Sequence, residues 1–365
     1  MCIVLLTTSH PKYALIAIDN RDEYILRPTS GPHWWKTQAE SADPSAEPVE
    51  VEVLSSRDLQ RAEHGTWLGI TKGGNFAVLT NYRETDTHDA AHPVRGKRSR
   101  GGMVTAWLGA DPKEPVESFV RRMVQGGEVK GVGGFSLICG KLRKAKGEKN
   151  IEPLAILSNR HDHMKHVPWI CGKRGSEVGL SNATYVAPDQ QGDEPIWPKI
   201  QLGSEMLGQA VTLTASDSIQ EEELSDVLFK ILDVDHFPSN HTMDLEEGIP
   251  LLKNSIFIPA FGGAEHQREM QEARQRGKAH VGEHGDAAEE LTIDARPDDS
   301  PNGFETGLYG TQRQTIILVD WDGNVTYKER ALWDANGHAI PRGKGDKTFK
   351  FKIDGWEEEI NGFAN

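Results

Sequence analysis

The chain runs almost from its first residue into strand-forming sequence. Residues 3–7 and 13–18 are short aliphatic and β-branched runs, and Ser9-His10-Pro11-Lys12 between them reads as the turn of a hairpin. A hairpin placed this early sets the start of the chain inside a sheet, with Cys2 at its head. Further strands are expected at 67–70 and 75–82, joined through Thr71-Lys72-Gly73-Gly74, and at 135–139, 154–158, 255–258, 315–320 and 325–330.

Helices are fewer. Asp111-Pro112 reads as an N-cap with proline at the first helical position, followed by Val116, Phe119, Val120 and Met123 at helical spacing. Ser218-Ile219-Gln220-Glu221 reads as a capping box before the stripe Leu224, Val227, Leu228, Ile231 and Leu232. A third helix is expected from Trp197-Pro198. Many strands with a few amphipathic helices predict sheets covered by helices, in one domain. Three polar stretches, 37–52, 84–92 and 262–307, lack periodicity and read as flexible inserts.

Composition narrows the function. Hydrophobic residues make up 37% of the 365 and charged residues 26%, which fits a globular chain with a large core. The formal charge of −14 repels phosphate backbones, so no nucleic-acid partner is expected. Cys2, Cys139 and Cys171 are too few and too widely spaced for a disulfide framework or a zinc knuckle, which suits a reducing compartment. The apolar run at 2–6 is too short for a signal peptide, and no stretch reaches the roughly 20 apolar residues of a membrane helix. A cytosolic protein is expected.

Cys2 is the most informative residue. A small second side chain favours removal of the initiator Met, which would leave a thiol and a free α-amine on one residue. The unperturbed amine titrates at about 7.7 to 8.0 and the thiol near about 8.5, so the amine can take the thiol proton without a histidine. The plain alternative is a core cysteine on the first strand. Asn20-Arg21-Asp22-Glu23 ends the second predicted strand, where a guanidinium and carboxylates could orient a thiolate; a solvated turn is the alternative. Asn81 and Asn182, each at a strand end, could donate to an oxyanion, and Arg313 offers a second guanidinium.

These residues, together with Gly65-Thr66-Trp67-Leu68-Gly69-Ile70, Ser99-Arg100-Gly101, Gly134-Phe135, Ser158-Asn159-Arg160 and the stretch from Thr311 to Val319, resemble the NRDE family, in order from Cys2 to about Arg330. The resemblance implies a four-layer αββα sandwich of the N-terminal nucleophile hydrolase type, similar to bile salt hydrolases and penicillin V acylases. It implies that Cys2, Arg21, Asp22, Asn81, Asn182 and Arg313 match the acylase order of Cys, Arg, Asp, two Asn and a second Arg. The acylase Arg and Asp lie further apart, which leaves Asn20 with Glu23 as the alternative pair. The family resemblance further implies a factor in Golgi organisation and protein secretion, acting through haem trafficking or acyl-lipid handling. The other function it implies is an amidohydrolase of non-peptide carbon–nitrogen bonds. The expected ligand is accordingly haem, acyl-coenzyme A or an amide, and a mitochondrial or Golgi-associated fraction is compatible with it.

Other motifs are weaker. His280-Val281-Gly282-Glu283-His284 has a zinc-protease spacing, but its glycines oppose the helix required; His161, His163 and His166 read as a polar turn. No metal is expected. The basic run Arg95-Gly96-Lys97-Arg98-Ser99-Arg100 could seat an anionic group, and no haem-attachment or phosphate-loop motif is present.

Overall fold

The computed structural model describes residues 2–39, 48–60, 63–82, 99–130, 132–145, 149–183, 185–186, 196–216, 218–239, 243–275 and 306–357. Two antiparallel sheets form its centre. In the first, the order is β10 (Glu177–Leu180), β1 (Ile3–Thr7), β2 (Tyr13–Tyr24), β11 (Tyr309–Asp320), β12 (Asn324–Ala331) and β13 (Asp346–Lys352). In the second, seven strands follow chain order: β3 (His33–Ala39), β4 (Val49–Ser55), β5 (Leu68–Thr71), β6 (Asn75–Asn81), β7 (Phe135–Lys141), β8 (Leu154–Ser158) and β9 (Trp169–Ile170).

Strand alternation assigns each sheet two buried faces. Between the sheets, Val4, Leu6, Leu15 and Ala17 of the first meet Phe76, Val78, Ile138 and Ile156 of the second. The outer face of the first sheet, with Ile3, Leu5, Ile16 and Ile18, packs on Leu207, Leu224 and Leu228 of helices α3 (Pro198–Thr214) and α4 (Glu221–Leu232). The outer face of the second packs Ala77, Leu79 and Leu137 on Trp107 and Phe119 of α1 (Arg100–Leu108) and α2 (Val116–Gln125). The layers therefore run α, β, β, α. Two further helices, α5 (Leu245–Gly248) and α6 (Ala264–Gln275), lie in the segment leading to β11.

Several boundaries differ from those expected, each for a local reason. Asp111-Pro112 makes an Asx turn, in which Lys113 N–H donates to the Asp111 side chain at 2.8 Å, and α2 begins only after Pro115. The capping box of α4 is Gln220 with Glu223, which frees Glu221 to accept from Thr326 at 2.9 Å. Residues 255–258 are not part of a sheet strand, although Phe257 N–H donates to the Val234 carbonyl at 2.8 Å. Residues 37–39 and 49–52, expected within a flexible insert, are paired across β3 and β4. The expected insert at 262–307 contains α6, which buries only Met270 and Ala273 and so shows little apolar periodicity. Residues 84–92 lie outside the described residues.

The start of α1 sits directly on the loop before β5. A Cβ on Gly65 would lie 2.8 Å from the Gly101 carbonyl carbon, closer than packed atoms allow. Gly65→Ala should therefore destabilise the protein by about 1–3 kcal/mol in urea unfolding. Gly102→Ala, where the added carbon meets nothing nearer than 4.0 Å, should be neutral or stabilising.

Candidate functional site

The β1–β2 register pairs Ile3 with Asn20 and Val4 with Asp19, so Cys2 comes to the level of Arg21. Cys2 is buried and shares the parity of Val4 and Leu6, whose side chains face the second sheet. Burial pushes its thiol up to about 11, and the Asp19 and Asp22 carboxylates add to the rise. The chain's terminal ammonium and a hydrogen bond from the Asp22 backbone oppose it.

The polar quartet does not end β2; it is part of the strand, and alternation divides it between two layers. Arg21 faces the second sheet, its guanidinium 4.4 Å from the centre of the Trp67 ring, 3.7 Å from Asp58, and donating to the Gln312 side-chain oxygen. Asn20 and Asp22 face the helices. Asn20 donates to the Leu232 and Ile256 carbonyls at 2.8 and 3.0 Å, and Asp22 accepts from Thr311 Oγ1 at 2.7 Å. The side chains of Arg21 and Asp22 thus separate across the sheet, as do those of Asn20 and Glu23. Asp22 stays linked to Cys2 through its backbone.

The two asparagines come together beside Cys2. Thr80 Oγ1 donates to the Ser181 carbonyl at 2.8 Å, and Ser181 Oγ donates to the Cys2 carbonyl at 2.7 Å. The Asn182 amide donates to the Asn81 carbonyl. The end of β6 in the second sheet is thereby tied to the end of β10 in the first. Arg313 lies on the other side of Arg21, opposite it in the β2–β11 register, and is held by Glu329 at 3.0 Å and by Thr29 Oγ1 at 2.9 and 3.1 Å. Glu329, 1% exposed, also accepts from Ser56 at 2.5 Å and Tyr327 at 2.9 Å.

Asp19, Lys199, Gln312 and Glu329 join the site without having been expected there. Trp67 was legible as part of the Gly65-Thr66-Trp67 block, but its place beneath Arg21 was not. Both carboxylate oxygens of Asp19, Trp67 Nε1 and Lys199 Nζ are buried without a hydrogen-bond partner among the described residues. Burial drives Asp19 well above the usual carboxylate range, with the Asp22 and Glu329 carboxylates adding to it. Asp22 is raised by burial against the pull of the terminal ammonium and Lys199.

Among the described residues no group of three His, Cys, Asp or Glu is placed to hold a metal, and no helix is long and apolar enough to cross a membrane. His166 pairs with Asp162 at 2.9 Å, while His163 accepts from Lys165 N–H at 3.2 Å. Residues 280–284 and 95–98 lie outside the described residues.

Cys2 thus stands at the head of an inner strand of an αββα sandwich. Over residues 1–334 the chain matches the family described as Transport and Golgi organisation 2. It is 27% identical to the human Transport and Golgi organization protein 2 homolog over 340 residues, covering 92% of this chain and 94% of that one. The Bos taurus homolog is 26% identical over 351 residues, covering 93% and 98%. The chain belongs to the transport and Golgi organisation 2 family. Among solved structures, penicillin V acylase from Agrobacterium tumefaciens aligns at 12% identity and a TM-score of 0.33, covering 96% of this chain and 86% of that one. A variant of conjugated bile acid hydrolase from Clostridium perfringens aligns at 11% and 0.41, covering 96% and 98%. The assignment of layers rests on the packing described above.

Two outcomes test the buried charges. Glu329→Gln leaves Arg313 without its carboxylate and should cost about 3 kcal/mol or more of stability in chemical unfolding, whereas Lys36→Ala, at an exposed pair, should leave it nearly unchanged. For Asp19 the folded value lies above the unfolded one, so its contribution becomes unfavourable as pH rises above about 4 and vanishes below. In protein that retains Met1, Asp19→Asn should therefore raise Tm at pH 7 and leave it unchanged at about pH 3.

Proposed function

We propose that this chain serves the transport and Golgi-organisation role carried in its relatives' names, and that it does so as an N-terminal nucleophile amidohydrolase with Cys2 as the nucleophile. The observation that carries the reading is the pair of carboxylates buried beside Cys2: Asp19, neither of whose oxygens is hydrogen-bonded among the described residues, and Asp22, on which the terminal ammonium pulls. The terminal ammonium already acts on Cys2, Asp19 and Asp22 in the chain that retains Met1, and removal of Met1 moves it onto Cys2 itself. The same group, once neutral, is the base the thiol lacks.

In this reading Cys2 Sγ attacks the carbonyl carbon of a non-peptide amide. Its proton passes to the α-amine and then to the departing amine, and water releases the acyl group from the resulting thioester. The Asn182 amide, with one N–H given to the Asn81 backbone carbonyl, has a second for the oxyanion, and the Asn81 side chain is proposed as the other donor. Arg21, fixed by Trp67, Asp58 and Gln312, supplies positive charge near the nucleophile and orients it. A thiol held near 11 in the unprocessed chain is inert at neutral pH, so processing is the activating step.

Haem or acyl-lipid carriage is the other role implied by the family resemblance. The guanidiniums nearest Cys2 are engaged by Gln312, Asp58, Glu329 and Thr29, which does not suit binding of haem propionates there.

Intact-mass analysis after brief exposure to a thiol-directed acylating probe, followed by a screen of amides, tests the proposal. The expected result is loss of Met1 and one rapid adduct on Cys2, with none on Cys139 or on Cys171, whose thiol burial raises to about 12. Amide turnover should disappear in Cys2→Ser. Retained Met1 with an inert Cys2, or turnover that survives Cys2→Ala, would contradict it.

A further inference from the structure

The Cys2 site as described leaves one buried charge unused. Lys199, in the first turn of α3, is 0% exposed, and its ammonium lies 4.0 Å from Asp22 Oδ2, itself in a 0% exposed side chain. The Lys199 ammonium has no hydrogen-bond partner among the described residues. A lysine seldom occupies such a place, because stripping water from an ammonium is costly unless a counter-charge is near. Helix α3 can reach the site because it lies close on the sheet: a Cβ on Gly203 would come within 2.6 Å of Leu5 Cδ1. Asp22 occupies the helix face of β2, while its backbone holds the Cys2 sulfur from the edge of the other layer.

We propose that Lys199 is a positioning residue for Cys2: from outside the sheet it fixes the Asp22 carboxylate, and through Asp22 it sets the charge and the backbone geometry at the thiol. This rests on the Cys2 site proposed above. The groups in play are Cys2 on β1, Asp19, Arg21 and Asp22 on β2, the chain's terminal ammonium and Lys199 on α3, with Thr311 Oγ1 of β11 as the fixed donor to Asp22. Burial opposes the charged form of both partners, lowering Lys199 and raising Asp22. Asp22 is the first charge that favours the Lys199 ammonium, and Lys199 in turn favours the Asp22 carboxylate alongside the terminal ammonium and Thr311.

A pH profile of the rate of Cys2 modification, read by mass spectrometry on the full chain, tests this. Lys199→Met should displace the profile by about one pH unit, the scale of one lost charge neighbour. Asp22→Asn removes the group through which Lys199 acts, so in that background Lys199→Met should have no effect of its own. The double variant, which removes both charges and so avoids an unpaired ion in the interior, should show no further shift, and Lys199→Arg should restore most of the original profile. A reactive Cys2 whose profile ignores Lys199→Met, or shifts that add in the double variant, overturns this inference alone. A shifted profile without amide turnover overturns the amidohydrolase reading and supports this one. A Cys2 inert at every pH in the unmutated protein overturns both.

Discussion

Strand β2 is covered on both faces, by the second sheet on one and by α3 and α4 on the other. It nevertheless carries Asp19, Asn20, Arg21 and Asp22, all buried, into that interior. Polar groups so placed must find partners inside the protein or lose their charge. The layers, the loops that reach them and the position of the chain's start all follow this demand. Arg21 takes Trp67, Asp58 and Gln312; Asn20 takes two carbonyls from the helical side; Asp22 takes Thr311 and faces Lys199.

The same demand explains the neighbouring network. Arg313 is opposite Arg21, and two guanidiniums side by side would repel without the carboxylates of Glu329 and Asp58. Glu329 is spread over Arg313, Ser56 and Tyr327, which draws the second sheet's Ser56 toward β12 of the first. With the Thr80–Ser181–Cys2 chain at the far edge, the two sheets are joined by polar contacts on both sides of β2. Asp19 is a place where this satisfaction stops, and it adjoins Cys2.

Much of this was legible from the residues. The hairpin at the start, β8 and the entry to α3 fall where the aliphatic runs and the Trp197-Pro198 signal placed them. Strands β4 and β13 did not stand out because their alternation sets Glu or Lys against Val or Phe on half-covered surfaces, which resembles an insert when scanned for hydrophobicity alone. The site was partly visible for a similar reason. Cys2, Arg21, Asp22, Asn81, Asn182 and Arg313 could be selected by type and by family resemblance, but a list of residues does not say that adjacent side chains point to opposite layers. Glu329 sits between Lys328 and Arg330 and reads as a solvated charge run. Lys199, next to the helix-opening proline, reads as a surface lysine, and only the packing of α3 shows it to be buried.

The central claim is that processing moves the α-ammonium onto Cys2, where it serves Asp19 and Asp22 as counter-charge and, once neutral, the thiol as base. It is tested most directly by thermal unfolding at pH 7 of two otherwise identical proteins, one beginning at Cys2 and one retaining Met1. The account predicts a higher Tm for the protein beginning at Cys2, with the difference lost when Asp19 and Asp22 are both replaced by Asn. An equal or lower Tm for the processed protein would contradict it.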